Sequence, residues 1–474
     1  MWQKIIKNTF WLTSGEIIGR ALRIILVLYA ARVLGAADWG VFSYALSLAA
    51  LFTILADIGI GAVLTRELVR NTENRERYLA SSFFIKIIFL IITTVIIIFV
   101  TPLFTKFQLS QTLLMFIAGL VVADNLRILS GSINRATEQM HFEAFTNIFT
   151  QAVIVLFGIW ILRSMPSAEN LGISYLVGSG FGACFGLWTV RTYLKKFFAK
   201  FDRQTIQQIL DAAWPFALMG LLGGIMLNTD IIMLGWLRTI EEIGYYSSAQ
   251  KIVLTLYVLP TLIGAAAFPS WTRLANKNKA AFGELLEKAL KVVFLIAIPI
   301  TVGGLITGSE MINLFFGQEY APASIAFKIL LLSLVINYPS AILGNALFAY
   351  DQQKFFIIYG GIGAVSNIIL NFLLIPQWGI AGAATATVVT QILSNMLSWR
   401  KMKQINNFSV LEKLWKIAIA SVFMGIIALA LQYWHITILI SIPAAIIVYL
   451  AILYLLKESI IHDLKSFLYA RSSN

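Results

Sequence analysis

The sequence is poor in cysteine, histidine and charge. One cysteine, Cys184, stands among 474 residues, which excludes a disulfide framework and any cysteine-ligated metal centre. The three histidines, His141, His435 and His462, lie on separate segments and form no metal constellation; each reads as a polar residue at a membrane interface. No GxxxxGK[ST] loop occurs, which removes direct ATP hydrolysis by the phosphate-loop route. Charged residues make up only 12% of the chain, where soluble domains carry about 25%.

What the chain has in quantity is apolar. Hydrophobic residues reach 59% and mean hydropathy is +0.82, so the chain is an all-α polytopic membrane protein. Its net charge of +13 does not indicate nucleic acid, because the basic residues lie between apolar runs rather than in an aromatic-interleaved patch. At the N-terminus Lys4 and Lys7 lead straight into an apolar span without a small-residue cleavage site, the pattern of an uncleaved anchor.

A crossing helix needs about 20 mostly apolar residues. Fourteen stretches qualify: 10–31, 41–63, 83–104, 112–133, 142–162, 171–193, 214–237, 245–271, 289–315, 325–349, 355–375, 380–399, 414–433 and 436–456. The longest polar connection, Arg191 to Ala213, carries Phe198, Phe201 and Ile209 among lysines, including Lys200, and predicts a helix lying in the membrane interface as a tether. Lysine and arginine collect in alternate connections. Arg66, Arg70, Arg75 and Arg77 fall between the second and third spans, and Arg273, Lys277, Lys279 and Lys288 between the eighth and ninth, whereas the opposite side has isolated Arg32, Lys106, Arg163, Arg238 and Lys328. The bias predicts both termini in the cytoplasm of a cell-membrane protein.

The chain also repeats itself. "VLGAADWGVFSYA" (33–45) returns as "LRTIEEIGYYSSA" (237–249) at an offset of 204, with Gly40 on Gly244, Phe42 on Tyr246 and Ser43 on Ser247. "GISYLVGSGFGACFG" and "GIAGAATATVVTQIL" match at 207, and "TEQMHF" and "YDQQKF" at 213. Three ordered pairs indicate a duplicated six-helix unit, so the expected architecture is two pseudo-symmetric six-helix lobes plus two C-terminal helices. The divisions are residues 1–203, 204–404 and 405–474.

On "TFWLTSGEIIGRALRIILVLYAARVLGAADWGVFSYALSLAALFTILADIGIG", the following "TREL" and the later "IPQWGIAGAATATVVTQ", the chain resembles the polysaccharide-transporter branch of the MATE-like (multidrug/oligosaccharidyl-lipid/polysaccharide) exporter superfamily. The resemblance covers essentially the whole chain. It implies a V-shaped flippase that carries a polyprenyl-(di)phosphate-linked oligosaccharide from the cytoplasmic to the outer leaflet by alternating access. Its surroundings are membrane lipid, and its candidate partners are glycan polymerases or glycosyltransferases of the same pathway. With no nucleotide site, the expected energy source is an ion gradient, the membrane potential or product consumption. No cofactor is expected beyond a coupling ion, H+ or Na+.

Charges inside spans are the candidate site residues, because an ionised side chain at the bilayer centre costs at least about 2.5–3.5 kcal/mol and normally faces a cavity or a partner. The first span carries Glu16, Arg20 and Arg23 on one face, the fourth carries Asp124 and Arg127, and the eighth carries Lys251. Arg20, Arg23, Arg127 and Lys251 suit a cationic cleft for a phosphate group. A plainer reading stands beside it: Glu16 with Arg20 and Asp124 with Arg127 have the spacing of local ion pairs, and Lys251 can snorkel. Glu16, Asp57, Asp124 and Asp230 are candidate coupling or charge-balancing acids, while the place of Asp57 and Lys86 near helix ends also fits an interfacial or structural role. Asp230 is either a coupling carboxylate or a satisfied buried acid. The second lobe lacks the stripe, with Gly220, Gly224 and Leu227 at the positions of Glu16, Arg20 and Arg23.

Three other functions compete. A cation-coupled multidrug antiporter of the same superfamily resembles the twelve-helix core but usually lacks the last two spans. A lipid II flippase shares fourteen helices and a cationic cavity. A membrane glycosyltransferase would need carboxylates in a sizeable outer loop or domain, but the outer loops are short, Glu310 and Glu319 are the only notable acids in the turn between the ninth and tenth spans, and nothing supplies a second catalytic set.

Overall fold

A computed structural model describes residues 2–71, 73–107, 109–198 and 202–458. Among the described residues all regular structure is helical. In chain order the helices are α1 (Trp2–Asp57), α2 (Ile60–Arg70), α3 (Arg75–Val95), α4 (Thr101–Phe104), α5 (Gln111–Ala136), α6 (Met140–Ser164), α7 (Ala168–Thr189) and α8 (Arg191–Leu194). There follow α9 (Arg203–Leu237), α10 (Ile240–Leu256), α11 (Val258–Leu274), α12 (Lys279–Phe316), α13 (Ala323–Ala349), α14 (Phe355–Ile405), α15 (Trp415–Tyr433) and α16 (Ile438–Leu455).

Twelve helices among the described residues are long and apolar enough to cross a membrane, against fourteen expected spans. The difference lies in two long helices. α14 alone has 51 residues, and at about 1.5 Å per residue that is more than twice the roughly 30 Å of a hydrocarbon core. Both long helices are bent at a glycine, α1 at Gly35 (φ 73°) and α14 at Gly379 (φ 55°). These φ values suit a residue without a Cβ. Gly35 lies between the expected spans 10–31 and 41–63, and Gly379 between 355–375 and 380–399.

Two sequence expectations need correction. The span expected at 41–63 is broken, because Ile58 (φ 37°) and Gly59 (φ 81°) separate α1 from α2. Nor is Arg191–Ala213 a single interfacial helix. It begins with α8 and a 3₁₀ turn at Lys195–Phe198, and residues from Arg203 run unbroken into α9 through Pro215. Among its described residues Phe197 and Ile209 are buried in protein: Phe197 packs with Leu64, Leu129 and Val190, and Ile209 with Ile60, Val63 and Ile85. Lys200, Phe201 and His462 lie outside the described residues, as does the side chain of Phe198.

The chain forms two compact units, Met1–Lys251 with Ala364–Gly379, and Ile252–Gly363 with Ile380–Asn474. In the first, α1 packs on α6 and α9, and α7 packs on α5 and α6. Small residues permit the close contact of α7 with α6, where a Cβ on Gly182 would lie 2.0 Å from the Thr150 hydroxyl. In the second, α12 packs on α13, and the α15–α16 pair docks on α12 around Ile417, Met424 and Tyr449. There the Tyr449 hydroxyl donates to the Leu295 carbonyl (2.8 Å), and Lys291 pairs with buried Glu458.

The repeated stretch proves to be a contact with its own copy, inside the first unit. A Cβ on Gly40 would lie 2.1 Å from the Ile240 carbonyl oxygen, and one on Gly244 would lie 2.0 Å from that of Ala36. Ala36 and Ile240 are themselves related by the offset of 204. The contact is thus reciprocal, as a twofold relation between the copies requires.

Candidate functional site

A cavity of about 150 Å³ opens within the first unit, lined by charged and polar residues from five helices. Arg23 comes from α1, Asp124 and Arg127 from α5, Gln151 from α6, Ser179 from α7 and Lys251 from α10. Arg23 Nε donates to Gln151 Oε1 (3.3 Å), and Arg127 Nε to Asp124 Oδ1 (3.2 Å). Each guanidinium uses one donor in the bond named and carries further N–H groups in a planar fork that matches phosphate oxygens. Three cations and one carboxylate line the cavity, so its formal charge is 3 − 1 = +2. A wall of three rings adjoins them: Trp39 and Phe42 are 6.0 Å apart, and Phe42 and Tyr175 are 5.1 Å apart.

The structure therefore brings Arg23, Arg127, Lys251 and Asp124 together. Arg20 and Glu16 are not among the lining residues; they pair with each other at 2.7 Å with side chains 42% and 52% exposed. Asp57 pairs with Lys86, which is fully buried in α3. Asp230 lies elsewhere in the same unit, 1% exposed. It accepts hydrogen bonds from the Tyr246 hydroxyl (2.6 Å), Asn371 Nδ2 (2.7 Å) and Asn367 Nδ2 (3.0 Å), so this buried carboxylate is held by neutral donors. A smaller cavity of about 50 Å³ continues from Arg127 to Arg135 and Glu143, where Arg135 Nη1 donates to Glu143 Oε1 (2.5 Å). No group of three or more metal-ligating side chains occurs among the described residues.

Sequence reasoning missed Trp39, Ser43, Gln151, Tyr175 and Ser179 as lining residues. A signal for the first two existed. They lie within the repeated stretch 33–45, and with Phe42 they share one helix face at i, i+3 and i+4. Tyr175 and Ser179 also stand four apart, on α7.

Comparison with known proteins agrees with this architecture. The profile of the family described as "Polysaccharide biosynthesis protein" matches residues 5–275, and that of the MatE family matches 215–373. The "Probable low-salt glycan biosynthesis flippase Agl15" of Haloferax volcanii is 24% identical, with 83% of this chain and 82% of that one aligned. The lipid II flippase MurJ of Bacillus subtilis is 22% identical, with 95% and 93% aligned. Among solved structures, a lipid II flippase MurJ in an inward closed conformation superposes with a TM-score of 0.80 at 18% identity, over 95% of this chain and 99% of that one. That likeness shows the fold.

Proposed function

The chain belongs to the polysaccharide biosynthesis protein family, and from that premise we propose that it flips a polyprenyl-(di)phosphate-linked oligosaccharide from the cytoplasmic to the outer leaflet of the cell membrane. Its fold is that of a transporter superfamily rather than of an enzyme. The observation that carries the proposal is the cavity of net charge +2 formed by Arg23, Arg127, Lys251 and Asp124. A diphosphate there meets donors already oriented by Gln151 and Asp124, in surroundings less polarisable than water, where charge-assisted bonds are strong. An organic cation, the substrate of the antiporter reading, would meet like charge.

Transport follows alternating access between the two six-helix lobes, with both termini in the cytoplasm, as the lysine and arginine bias supports. Asp230 is the proposed coupling-ion carboxylate. It is buried, it accepts hydrogen bonds from two amides and a phenol, and taking up H+ or Na+ there would change the charge of a buried site. Glycan polymerases or glycosyltransferases of the same pathway are the proposed partners.

The test is thermal stabilisation of the purified protein. A polyprenyl-diphosphate sugar at about 100 times its dissociation constant should stabilise it by about 2.7 kcal/mol, and tetraphenylphosphonium should not. Arg23→Gln should abolish most of that shift and stop lipid-linked glycan export in cells, while Asp230→Asn should keep lipid binding and lose dependence on an imposed ion gradient. Stabilisation by the organic cation alone would select the antiporter. An Arg23→Gln variant that binds and exports normally would remove the cationic cavity from the mechanism.

A further inference from the structure

Three polar groups in the wall of the cavity have no hydrogen-bond partner among the described residues: Trp39 Nε1, Ser43 Oγ and Ser179 Oγ. All three residues are buried, at 1%, 2% and 1% exposure. Such groups are uncommon, because a buried donor ordinarily finds an acceptor. A serine inside a helix has one within reach, the carbonyl one turn back. Some buried serines of this chain use it, Ser132 donating to Ile128 O (3.0 Å), Ser174 to Asn170 O (2.8 Å) and Ser248 to Gly244 O (2.9 Å), while Ser81, Ser82, Ser394 and Ser421 leave it unused away from the cavity. Ser43 and Ser179 also leave it unused, and what sets them apart is that they line one cavity together with Trp39 and three cations.

We propose that Trp39, Ser43 and Ser179 form a sugar subsite beside the phosphate-binding cations, and that this subsite reads the first sugar of the lipid-linked glycan. The inference rests on the proposed reading of the cavity as the anion site. Its chemistry follows from the groups present. An indole N–H donates only, while each serine hydroxyl both donates and accepts, so together they match the hydroxyl or acetamido groups around a pyranose rather than a second anion. The rings of Trp39, Phe42 and Tyr175 offer an apolar face for the sugar's C–H side. Placing the two subsites in one cavity puts the sugar directly next to the phosphate that links it to the lipid. A site whose buried donors and acceptors are satisfied only by the ligand also discriminates strongly against a ligand that lacks the matching groups.

Three probes test the subsite on purified full-length protein: a C55 polyprenyl diphosphate, the same lipid bearing glucose, and the same lipid bearing N-acetylglucosamine. At least one sugar-bearing lipid should bind about tenfold more tightly than the bare lipid. In S43A/S179A, and separately in Trp39→Phe, that increment should vanish while affinity for the bare diphosphate stays the same. Because no hydrogen bond within the protein is lost, S43A/S179A should melt no lower than the wild type. Arg23→Gln should weaken all three probes alike. An increment that persists in both variants, no increment for either sugar, or equal loss on bare and sugar-bearing lipid would each overturn the subsite. Failure of the bare diphosphate to bind wild-type protein would instead overturn the anion site, and the subsite with it.

Discussion

Placing a methyl group on Gly40 tests the contact between the two copies of the repeat. The new Cβ would lie 2.1 Å from the carbonyl oxygen of Ile240, and real Cβ atoms essentially never approach closer than 3.0 Å. The obstacle is backbone and cannot rotate aside, so the two turns must part by about 1 Å. Overpacking of this kind typically costs ~1–3 kcal/mol. Gly244→Ala meets the Ala36 carbonyl at 2.0 Å and should cost a similar amount. Since the two contacts lie in one reciprocal interface, a single separation relieves both clashes. The double variant should therefore lose much less than the sum of the two single losses, the sign of coupled sites. Thermal melting of the purified protein gives all three values. Gly180→Ala is the control, because nothing lies within 4 Å of its added Cβ, and there alanine should be neutral or stabilise the helix by up to ~1 kcal/mol. Strictly additive losses, or a Gly40→Ala protein as stable as the control, would refute the reciprocal contact.

Asp57→Asn removes the partner of a fully buried Lys86 and should cost ~3–5 kcal/mol, with much of it recovered in D57N/K86M, where no buried charge remains; melting curves that show no recovery would mean the charge pair is not the source of the loss. At the start of α9, the exposed Asp202 carboxyl is held below the usual carboxylate range by hydrogen bonds from the hydroxyl and backbone N–H of Thr205. Its folded value is depressed, so its capping contribution is fully present above the unfolded value near pH ~3.9 and is lost as pH falls through the lower folded value. Hydrogen exchange of the first turn of α9 should accelerate across that window and be insensitive to it in Asp202→Ala; protection that does not change with pH in the native chain would contradict the cap.

Hydropathy made the helices legible, and the charges within them pointed to Arg23, Arg127, Lys251 and Asp124. Both signals are local, since apolar length and i,i+4 spacing can be counted along one strand of text. What escaped is set by contacts far apart in the chain. Gln151 meets Arg23 across 128 positions, and Lys86 meets Asp57 across 29. Serines inside an apolar span carry little weight in a hydropathy window, and Trp39 falls in the connection between the first two expected spans, so the cavity wall was invisible where the cations were not. The break at Ile58–Gly59 escaped for another reason: isoleucine is a poor predictor of positive φ, and "DIGIG" continues an apolar run. The supposed tether misled because amphipathic pattern reports that one face is buried, without saying whether lipid or protein covers it. Gly40 and Gly244 were legible as a repeat, yet the reason for glycine there appears only when the two copies meet.

The Asp57–Lys86 pair also bears on how the protein is made. Asp57 leaves the ribosome 29 residues before its partner, and an ionised side chain that enters lipid unpaired is costly, by about 2.5–3.5 kcal/mol at the bilayer centre and less towards a helix end. The end of α1 cannot settle into lipid cheaply until α3 has been synthesised. Membrane integration of this region therefore favours a block of helices that partitions together, held near the translocation channel until the lysine arrives, over release of one finished span at a time.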